Sequence, residues 1–459
     1  MRRTTSRERG RIDRPDRPGS APVDRASPAD LVVLAADRAG GAPEQIGVVL
    51  LLDAHRSAGD LVARTLVERV AAVPRLRQRL QTLPPGLGRP IWLDDEDFEA
   101  SRHVRVQRLP GPLGEPAVLA LATTLVTARL PRSAPLWTAT VATGTTAGRI
   151  AVVLVLHHAI ADGVDGLAVL DRLLDGGDGP QPHRFPRPRP TRRLLAVDAA
   201  RAALRTVRGL PGVVREMRVV AVAGAGSPAV PCSLWRSTGP RRRFGVARVD
   251  LAALSAFAHR HGGTVNDALL AVVAGALRTF LAGRGERADV IRAAVVVSGH
   301  RQRSADRPGN ITAPVVVDIA ADRPPGERVH RIAGVVRALR AGPLSGGPVV
   351  VLQGVYRVIA RLGLYRFYLG HQRRMHTLVS NLRGPDRPRH LAGAPVREVI
   401  PLSVGEAGNM TVQFVALSYG DRLTVTAVAD PEWTPDFDVL VQALQSELDR
   451  AAAGREVRS

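Results

Sequence analysis

Apolar residues occur along the chain in short runs separated by longer segments of helical spacing. Residues 46–53 (IGVVLLLD) and 149–156 (RIAVVLVL) are rich in β-branched residues and predict buried strands. Between them, residues 60–80 carry apolar positions at helical intervals. Ser27 and Asp30, with a proline between them, are typical of a helix start. Strands that alternate with helices in this way predict a layered α/β fold.

The second half of the chain continues this alternation. Residues 265–281 fit one long helix capped by Thr264. Further strands are predicted at 291–298, 313–320, 409–420 and 422–430. The last two are separated only by Gly420 and Asp421 and predict a hairpin.

The chain has 459 residues, more than one compact core usually holds, so we expect two domains. A segment rich in Pro, Arg and Gly at 175–193 indicates the boundary. We therefore predict four parts: a disordered basic tail (1–26), an N-terminal lobe (27–180), a Pro/Arg-rich linker with an amphipathic helix interrupted at Pro211 (181–240), and a C-terminal lobe (241–455).

The composition adds a strongly basic charge. The formal net charge is +22, and every one of the 64 basic residues is arginine, which indicates a compositional bias as much as a partner. No nucleic-acid-binding motif accompanies the charge, so we expect no nucleic-acid partner. A single cysteine, Cys232, fits a reducing cytoplasm. Neither a signal peptide nor a membrane-spanning run is expected.

Candidate chemistry lies where the second predicted strand ends, at His157 and His158. Open α/β sheets present reactive groups beyond the carboxyl ends of their strands. An imidazole with a pKa of about 6.5 is mostly neutral at pH 7 and can accept a proton from an alcohol. Asp162 either pairs with His158 or fixes the loop, and Gly163 gives a tight turn into a helix at 164–174. The alternative is that both histidines are half-buried polar residues without a chemical role.

The sequence lacks the motifs of three other kinds of site: a serine nucleophile, a phosphate-binding loop and a metal centre. There is no G-x-S-x-G nucleophile motif, and a chain without lysine has no phosphate-binding P-loop. No His/Cys cluster has ligand spacing, so no metal is expected. The histidines at 259–261 lie at the C-terminus of a predicted helix, where they favour a capping or solvent role.

The sequence HHAIADG at 157–163 matches the H-H-x-x-x-D-G signature of acyltransferases built like chloramphenicol acetyltransferase. Four further segments accompany it in order: SPADLVVL (27–34), APLWTATV (134–141), GGTVNDALLAVVAGALR (262–278) and SNLRGP (380–385). As a set they resemble the bacterial wax ester synthase/diacylglycerol acyltransferase family across residues 27–453. The chain departs from the family pattern at Thr138, at 295–301 (VVVSGHR) and at 40–48 (GGAPEQIGV), which lacks a common methionine-histidine pair.

The resemblance implies two α/β lobes of the chloramphenicol-acetyltransferase type with a tunnel between them. His158 would be the general base, while His157, Asp162 and Gly163 would hold it in place. Substrate contacts are expected from the residues that match the other motifs: Asn266, Asp267, Ser380, Asn381, Pro135, Leu136 and Trp137. Ser380 and Asn381 would line the tunnel or else only shape the turn before Gly384, and residues 135–137 would pack around the acyl site rather than take part in the chemistry. Asn266 would hold the acceptor or the oxyanion, or else only cap its helix.

The resemblance further implies an acyl-CoA-dependent O-acyltransferase that esterifies diacylglycerol or long-chain alcohols, without a cofactor besides its acyl-CoA substrate. Transfer to another hydroxyl or amine, and a non-catalytic lipid-binding role, remain alternatives. Segments 192–222 and 349–370 interleave apolar residues with arginine and could contact an anionic membrane or a lipid droplet. We expect a cytoplasmic protein, peripheral at the inner membrane face or at droplets.

Overall fold

Two six-stranded sheets with helices packed on them form the protein, which confirms the α/β prediction. The structure is a computed structural model that describes residues 23–37, 41–54, 58–145, 149–161, 163–177, 185–223, 229–298, 312–341, 365–405 and 408–454. The strands are β1 (Gln45–Asp53), β2 (Gln78–Gln81), β3 (Ile91–Asp94), β4 (Val104–Leu113), β5 (Trp137–Thr145), β6 (Arg149–His157), β7 (Arg243–Asp250), β8 (Val290–Ser298), β9 (Thr312–Ala320), β10 (Thr377–Arg383), β11 (His390–Leu391), β12 (Ala394–Ser403), β13 (Val412–Tyr419) and β14 (Arg422–Ala429).

The helices alternate with the strands along the chain, and several of them pack on the sheets. They are α1 (Pro28–Asp37), α2 (Gly59–Val70), α3 (Glu115–Thr127), α4 (Gly163–Leu173), α5 (Arg192–Ala223), α6 (Leu251–Arg260), α7 (Val265–Gly283), α8 (Pro325–Ala341), α9 (Tyr365–His371) and α10 (Phe437–Ala453). Ser27 and Asp30 exchange hydrogen bonds at the start of α1, as the sequence predicts.

The first sheet has the order β11-β12-β1-β6-β5-β4 and the second β7-β14-β13-β10-β8-β9. The apolar residues of β6 are buried on both faces, which explains the unbroken run in its sequence. In the second lobe, α7 lies in the centre of the core. By length and composition α7 could cross a membrane, but most of it is buried inside the lobe.

Strand β12 crosses between the lobes. The predicted C-terminal lobe (241–455) included it, yet β12 pairs antiparallel with β1, for example Val49 with Ile400, and so belongs to the first sheet. The reason is that one edge of β1 is occupied by β6 and the other would be an unpaired apolar edge without β12. Each lobe is therefore not one continuous stretch of chain.

Three local predictions need correction. The end of the tail predicted at 1–26 packs on the first lobe, because Arg25 donates to the carbonyls of Leu87 and Leu195 and pairs with Asp198 of α5, while residues 1–22 lie outside the described residues. The helical spacing at 60–80 gives a helix only as far as Val70, since Pro74 follows and a 3₁₀ turn leads into β2. Helix α5 runs from Arg192 to Ala223 and so continues through Pro211, where the sequence predicts an interruption.

Candidate active site

A cavity of about 180 Å³ lies between the two sheets, and His158 is on its wall. His158 follows the last residue of β6 directly, and its main-chain N–H donates to the Glu44 carbonyl at 2.8 Å. The remaining walls come from β1, β6, α4, β10, β12, β13 and β14 and from residues directly next to β1 and β12: Glu44, Gln45, Ile46, Gly47, Val48, Leu154, Leu156, Gly163, Gly166, Leu167, Leu170, Leu378, Ser380, Asn381, Leu382, Pro401, Leu402, Ser403, Val404, Gly405, Gln413, Phe414, Val415, Leu417 and Val428. The cavity is mainly apolar, with a few polar groups near the imidazole.

His157 points away from this cavity and is buried. The Ala159 N–H donates to its Nδ1 at 3.1 Å, so Nδ1 is unprotonated and Nε2 carries the hydrogen of the neutral ring. Nε2 faces the Asp37 carboxylate, with its nitrogen 3.6 Å from Oδ2. These contacts fix the ring of His157 and agree with the structural role that the resemblance implies for it.

Asp37, the last residue of α1, also holds two arginines. Its Oδ1 accepts from Arg129 Nη1 at 2.8 Å, and its Oδ2 accepts from Arg132 Nη2 at 2.5 Å. Burial alone would raise the pKa of Asp37, but the contacts with His157, Arg132 and Arg129 outweigh it and hold the pKa well below its ordinary value. The carboxylate therefore stays ionised behind the histidine pair.

Gly163 begins α4 at the edge of the cavity, and its lack of a side chain serves the contact between the lobes. A Cβ built on Gly163 would lie 2.8 Å from Leu382 Cδ2 of β10. The motif glycine thus allows the facing lobe to pack directly on the start of α4. Asp162 lies outside the described residues.

Strand β10 carries the predicted residues Ser380 and Asn381 to the cavity wall opposite α4. Asn381 Nδ2 donates to Asn266 Oδ1 at 3.5 Å, which joins two motifs that are 115 residues apart. Asn266 itself is half-buried behind Asn381 and does not line the cavity. Further along, Gly384 allows its own N–H to reach the Ser418 carbonyl at 2.9 Å, because a Cβ there would collide with that oxygen.

Besides Asn266, four residues predicted as substrate contacts do not line the cavity. Asp267 completes a capping box at the start of α7, where its Oδ2 accepts from the N–H and the hydroxyl of Thr264, both at 2.8 Å. Pro135, Leu136 and Trp137 are buried in the first lobe. Trp137 donates from Nε1 to the Leu76 carbonyl at 2.7 Å, so the P-L-W motif builds the core that supports β6.

The departure at 40–48 also has a structural reason. Gln45 is buried, and its Nε2 donates to the carbonyls of Val126 and Ala128 at the end of α3, while its Oε1 accepts from the Leu130 N–H. A glutamine supplies both donors and an acceptor at this position. The segment therefore anchors α3 beside the histidine strand.

Other side chains that could react or bind a metal lie apart from the cavity. Burial raises the pKa of Cys232 to about 11, which keeps the thiol protonated and unreactive at neutral pH. Among the residues that the structure describes, no cluster of three or more His, Cys, Asp or Glu side chains could hold a metal ion. His158 is thus the titratable side chain that the described cavity offers for proton transfer from an acceptor, with Glu44 as the other ionisable group on its wall.

Two α/β lobes with a histidine motif at the cavity between them define an acyltransferase with the fold of chloramphenicol acetyltransferase. Residues 27–269 match the sequence profile of the wax ester synthase/diacylglycerol acyltransferase catalytic domain, and residues 308–451 match that of the WS/DGAT C-terminal domain. The chain belongs to this family of acyltransferases.

Relatives and solved structures agree with this assignment. A Mycobacterium tuberculosis protein named "Probable diacyglycerol O-acyltransferase tgs1" is 26% identical over 431 residues, covering 89% of this chain and 91% of the relative. The wax ester synthase/diacylglycerol acyltransferase of Marinobacter aquaeolei VT8 shares the fold at a TM-score of 0.69 and 20% identity, covering 94% of this chain and 99% of that one. The first condensation domain of the calcium-dependent antibiotic synthetase is similar in fold at a TM-score of 0.62 and 18% identity, covering 95% and 97%.

Proposed function

We propose that the protein transfers an acyl group from acyl-CoA to the hydroxyl of diacylglycerol or of a long-chain alcohol, with His158 as general base. The observation that carries the proposal is the position of His158 on the wall of a mainly apolar cavity shared by both lobes. An apolar cavity suits an acyl chain, and the imidazole suits the one proton that must move. The names of the mycobacterial relatives support the choice of diacylglycerol as an acceptor.

In the proposed reaction, the acceptor oxygen attacks the thioester carbonyl carbon while its proton passes to the His158 imidazole. The tetrahedral intermediate then collapses, the carbon–sulfur bond breaks, and the imidazolium returns the proton to the CoA sulfur. Positioned proton transfer of this kind contributes about 10²–10⁴-fold to the rate. Asn381, on the facing wall and hydrogen-bonded to Asn266, is our candidate to orient the acceptor or the oxyanion.

The test is acyl transfer by purified protein. Palmitoyl-CoA is incubated with diacylglycerol, with hexadecanol or without acceptor, and both free CoA and the lipid product are measured, alongside His158→Ala. Acceptor-dependent CoA release that His158→Ala lowers by at least about 100-fold supports the proposal. Folded wild-type protein that releases no CoA with either alcohol contradicts it.

We further propose that the protein works at a membrane or lipid-droplet surface and that α5 makes the contact. Val197, Leu204 and Val207 of α5 are 42%, 50% and 60% exposed, and the arginines at 201, 205 and 208 are exposed near them. Apolar residues flanked by arginine favour an anionic headgroup layer. Most of the second predicted segment, 349–370, lies outside the described residues.

Co-sedimentation with vesicles tests this contact. Vesicles that contain anionic lipid should bind the protein, added salt should weaken binding, and Leu204→Glu with Val207→Glu should weaken it further at constant salt. Equal binding by the wild type and the double variant would remove α5 from the proposal.

A further inference from the structure

Asp37 lies behind the histidine pair, on the side away from the cavity, and reaches His158 by two routes. Through its Oδ2, it faces Nε2 of the neighbouring His157. Through its Oδ1, it accepts the Glu44 main-chain N–H at 3.3 Å, and the carbonyl of that same residue accepts the His158 N–H at 2.8 Å. One carboxylate thus contacts both the ring before His158 and the peptide beside it.

The ring of His157 has little freedom to compensate for a change at position 37. Its Nδ1 already accepts the Ala159 N–H, so turning the ring over to present a different nitrogen to residue 37 would leave that buried N–H without its partner. An asparagine at position 37 would set its NH2 group either against the hydrogen of His157 Nε2 or against the Glu44 N–H, and both of these are donors. Either orientation disturbs one of the two contacts that lead to His158.

Asp37 is itself held firmly. Besides its ion pairs with Arg129 and Arg132, its main-chain carbonyl accepts from Arg129 Nη1 at 3.0 Å. Arg129 also donates from Nη2 to the Gly41 carbonyl at 2.9 Å, which joins Gly41 to the same set of contacts. The contacts form one cluster that joins α1, the segment after α3, the start of β1 and the end of β6.

We propose that Asp37 is a positioning residue for the general base: it sets the His157 ring and the Glu44 peptide, and through them the place of the His158 imidazole in the cavity. This inference rests on the proposed role of His158. It assigns to Asp37 no contact with substrate and no proton transfer.

The experiment compares Asp37→Asn with Asp37→Glu and with a matched control, Asp94→Asn. Asp94 resembles Asp37 in burial (side chains 5% and 6% exposed), in its pairing with an arginine, Arg187, and in accepting a main-chain N–H, but it lies outside the cavity and the histidine cluster. Each variant is checked for folding by its melting curve. Then kcat and KM for acyl-CoA are measured, and kcat is divided by the folded fraction, because partial unfolding lowers the amount of active enzyme whereas a loss of positioning lowers kcat per folded molecule.

We expect Asp37→Asn to lower kcat by about 100-fold with KM changed less than about threefold, since a displacement of about 1 Å has that effect on catalysis. Asp37→Glu, which keeps the negative charge, should recover part of the loss. Asp94→Asn should leave kcat per folded molecule near the wild-type value. A kcat for Asp37→Asn equal to that of Asp94→Asn would overturn the inference.

A second measurement does not depend on activity. Diethyl pyrocarbonate modifies neutral imidazoles, and mass spectrometry gives the modification rate of His158 and of the exposed His371 in each variant. In Asp37→Asn, the reagent should modify His158 at least about threefold faster than in the wild type, while the rate at His371 stays the same. In Asp94→Asn, neither rate should change. If the wild type transfers no acyl group, the proposed function fails, yet an unchanged His158 rate in Asp37→Asn still decides against positioning by Asp37.

Discussion

The two walls of the cavity are built from similar mixed sheets, yet they differ in charge. The first lobe contributes His158 to the cavity wall, and the buried carboxylate of Asp37 lies behind it. Arg129 and Arg132 balance the charge of Asp37. The second lobe contributes Asn381 to the cavity wall, and this amide donates a hydrogen bond to another neutral amide, Asn266. A group that gains and loses a proton needs a fixed orientation and a defined field, whereas a wall that only orients a substrate needs shape and a hydrogen bond.

The largest expected effect separates the two histidines of the first wall. His158→Gln should lower kcat by at least about 100-fold while the free energy of unfolding changes by less than about 0.5 kcal/mol. His157→Gln should lower the free energy of unfolding by about 1–3 kcal/mol, because the Ala159 N–H and Asp37 lose a buried partner. Denaturant unfolding measures the stability of each variant, and steady-state kinetics measures its kcat. If His157→Gln instead lost kcat and His158→Gln lost stability, His158 would not be the reacting histidine and His157 would not be the supporting one.

A smaller effect is expected where the walls touch. Gly163→Ala places a methyl group against Leu382, so we expect a loss of about 1 kcal/mol in stability and about tenfold in kcat/KM as the lobes shift. Leu382→Ala in the same chain should restore much of the activity by making room. If the double variant is as impaired as the sum of the two single ones, the contact does not set the spacing of the lobes.

The amide pair of the second wall should have a milder role. Asn381→Ala should lower kcat/KM for the acceptor about fivefold and Asn266→Ala less, since the 3.5 Å hydrogen bond between them is long. Because Asn266 acts through Asn381, the double variant should resemble Asn381→Ala alone, which a double-mutant cycle measures. Additive losses would mean that Asn266 meets the substrate separately.

The smallest effect concerns a buried histidine of the second lobe. His376 accepts the Arg292 N–H at Nδ1 and contacts the Val230 carbonyl through Nε2 at 2.8 Å, and burial lowers its pKa below the ordinary 6.5. The unfolded chain therefore takes up this proton at a higher pH than the folded chain, so its contribution to stability is present above pH 6.5 and is lost as the pH falls below it. His376→Gln should flatten the decline in denaturation midpoint between pH 7 and 5, whereas the exposed control His371→Gln should not.

Much of the fold was predictable because its signals are local. The runs at 46–53, 149–156, 291–298 and 313–320 are strands, the hairpin turns at Gly420, and Thr264 caps α7 as expected. The prediction of one helix at 60–80 was wrong, because an apolar spacing of 3 to 4 also fits a helix followed by a short amphipathic strand. Only Pro74 marks the change from helix to strand in the sequence. The place of β12 depends on which sheet edge is free, which no local pattern reveals.

The site was predictable only in part, for a similar reason. His158, Gly163, Ser380 and Asn381 were found through motifs, and all four line the cavity. Asp37 was missed: its arginine partners lie 92 and 95 residues further along the chain, and an aspartate at the end of a short helix carries no distinctive signal. Trp137 was expected to pack around the acyl site, but it lies in the core and does not line the cavity, because motif membership does not distinguish the cavity wall from the core behind it.

The pairing of β12 with the first sheet has a consequence for how the protein folds during its synthesis. A ribosome releases β1 and β6 early, but the strand that covers the free edge of β1 is made only after β7 to β10 of the second lobe. At about 5–20 residues per second, the wait between Asp53 and Ala394 is on the order of tens of seconds. During that time the nascent first lobe exposes an apolar strand edge, which is a site for aggregation or for a chaperone. The first sheet therefore receives its full set of strands only after much of the second lobe has been made.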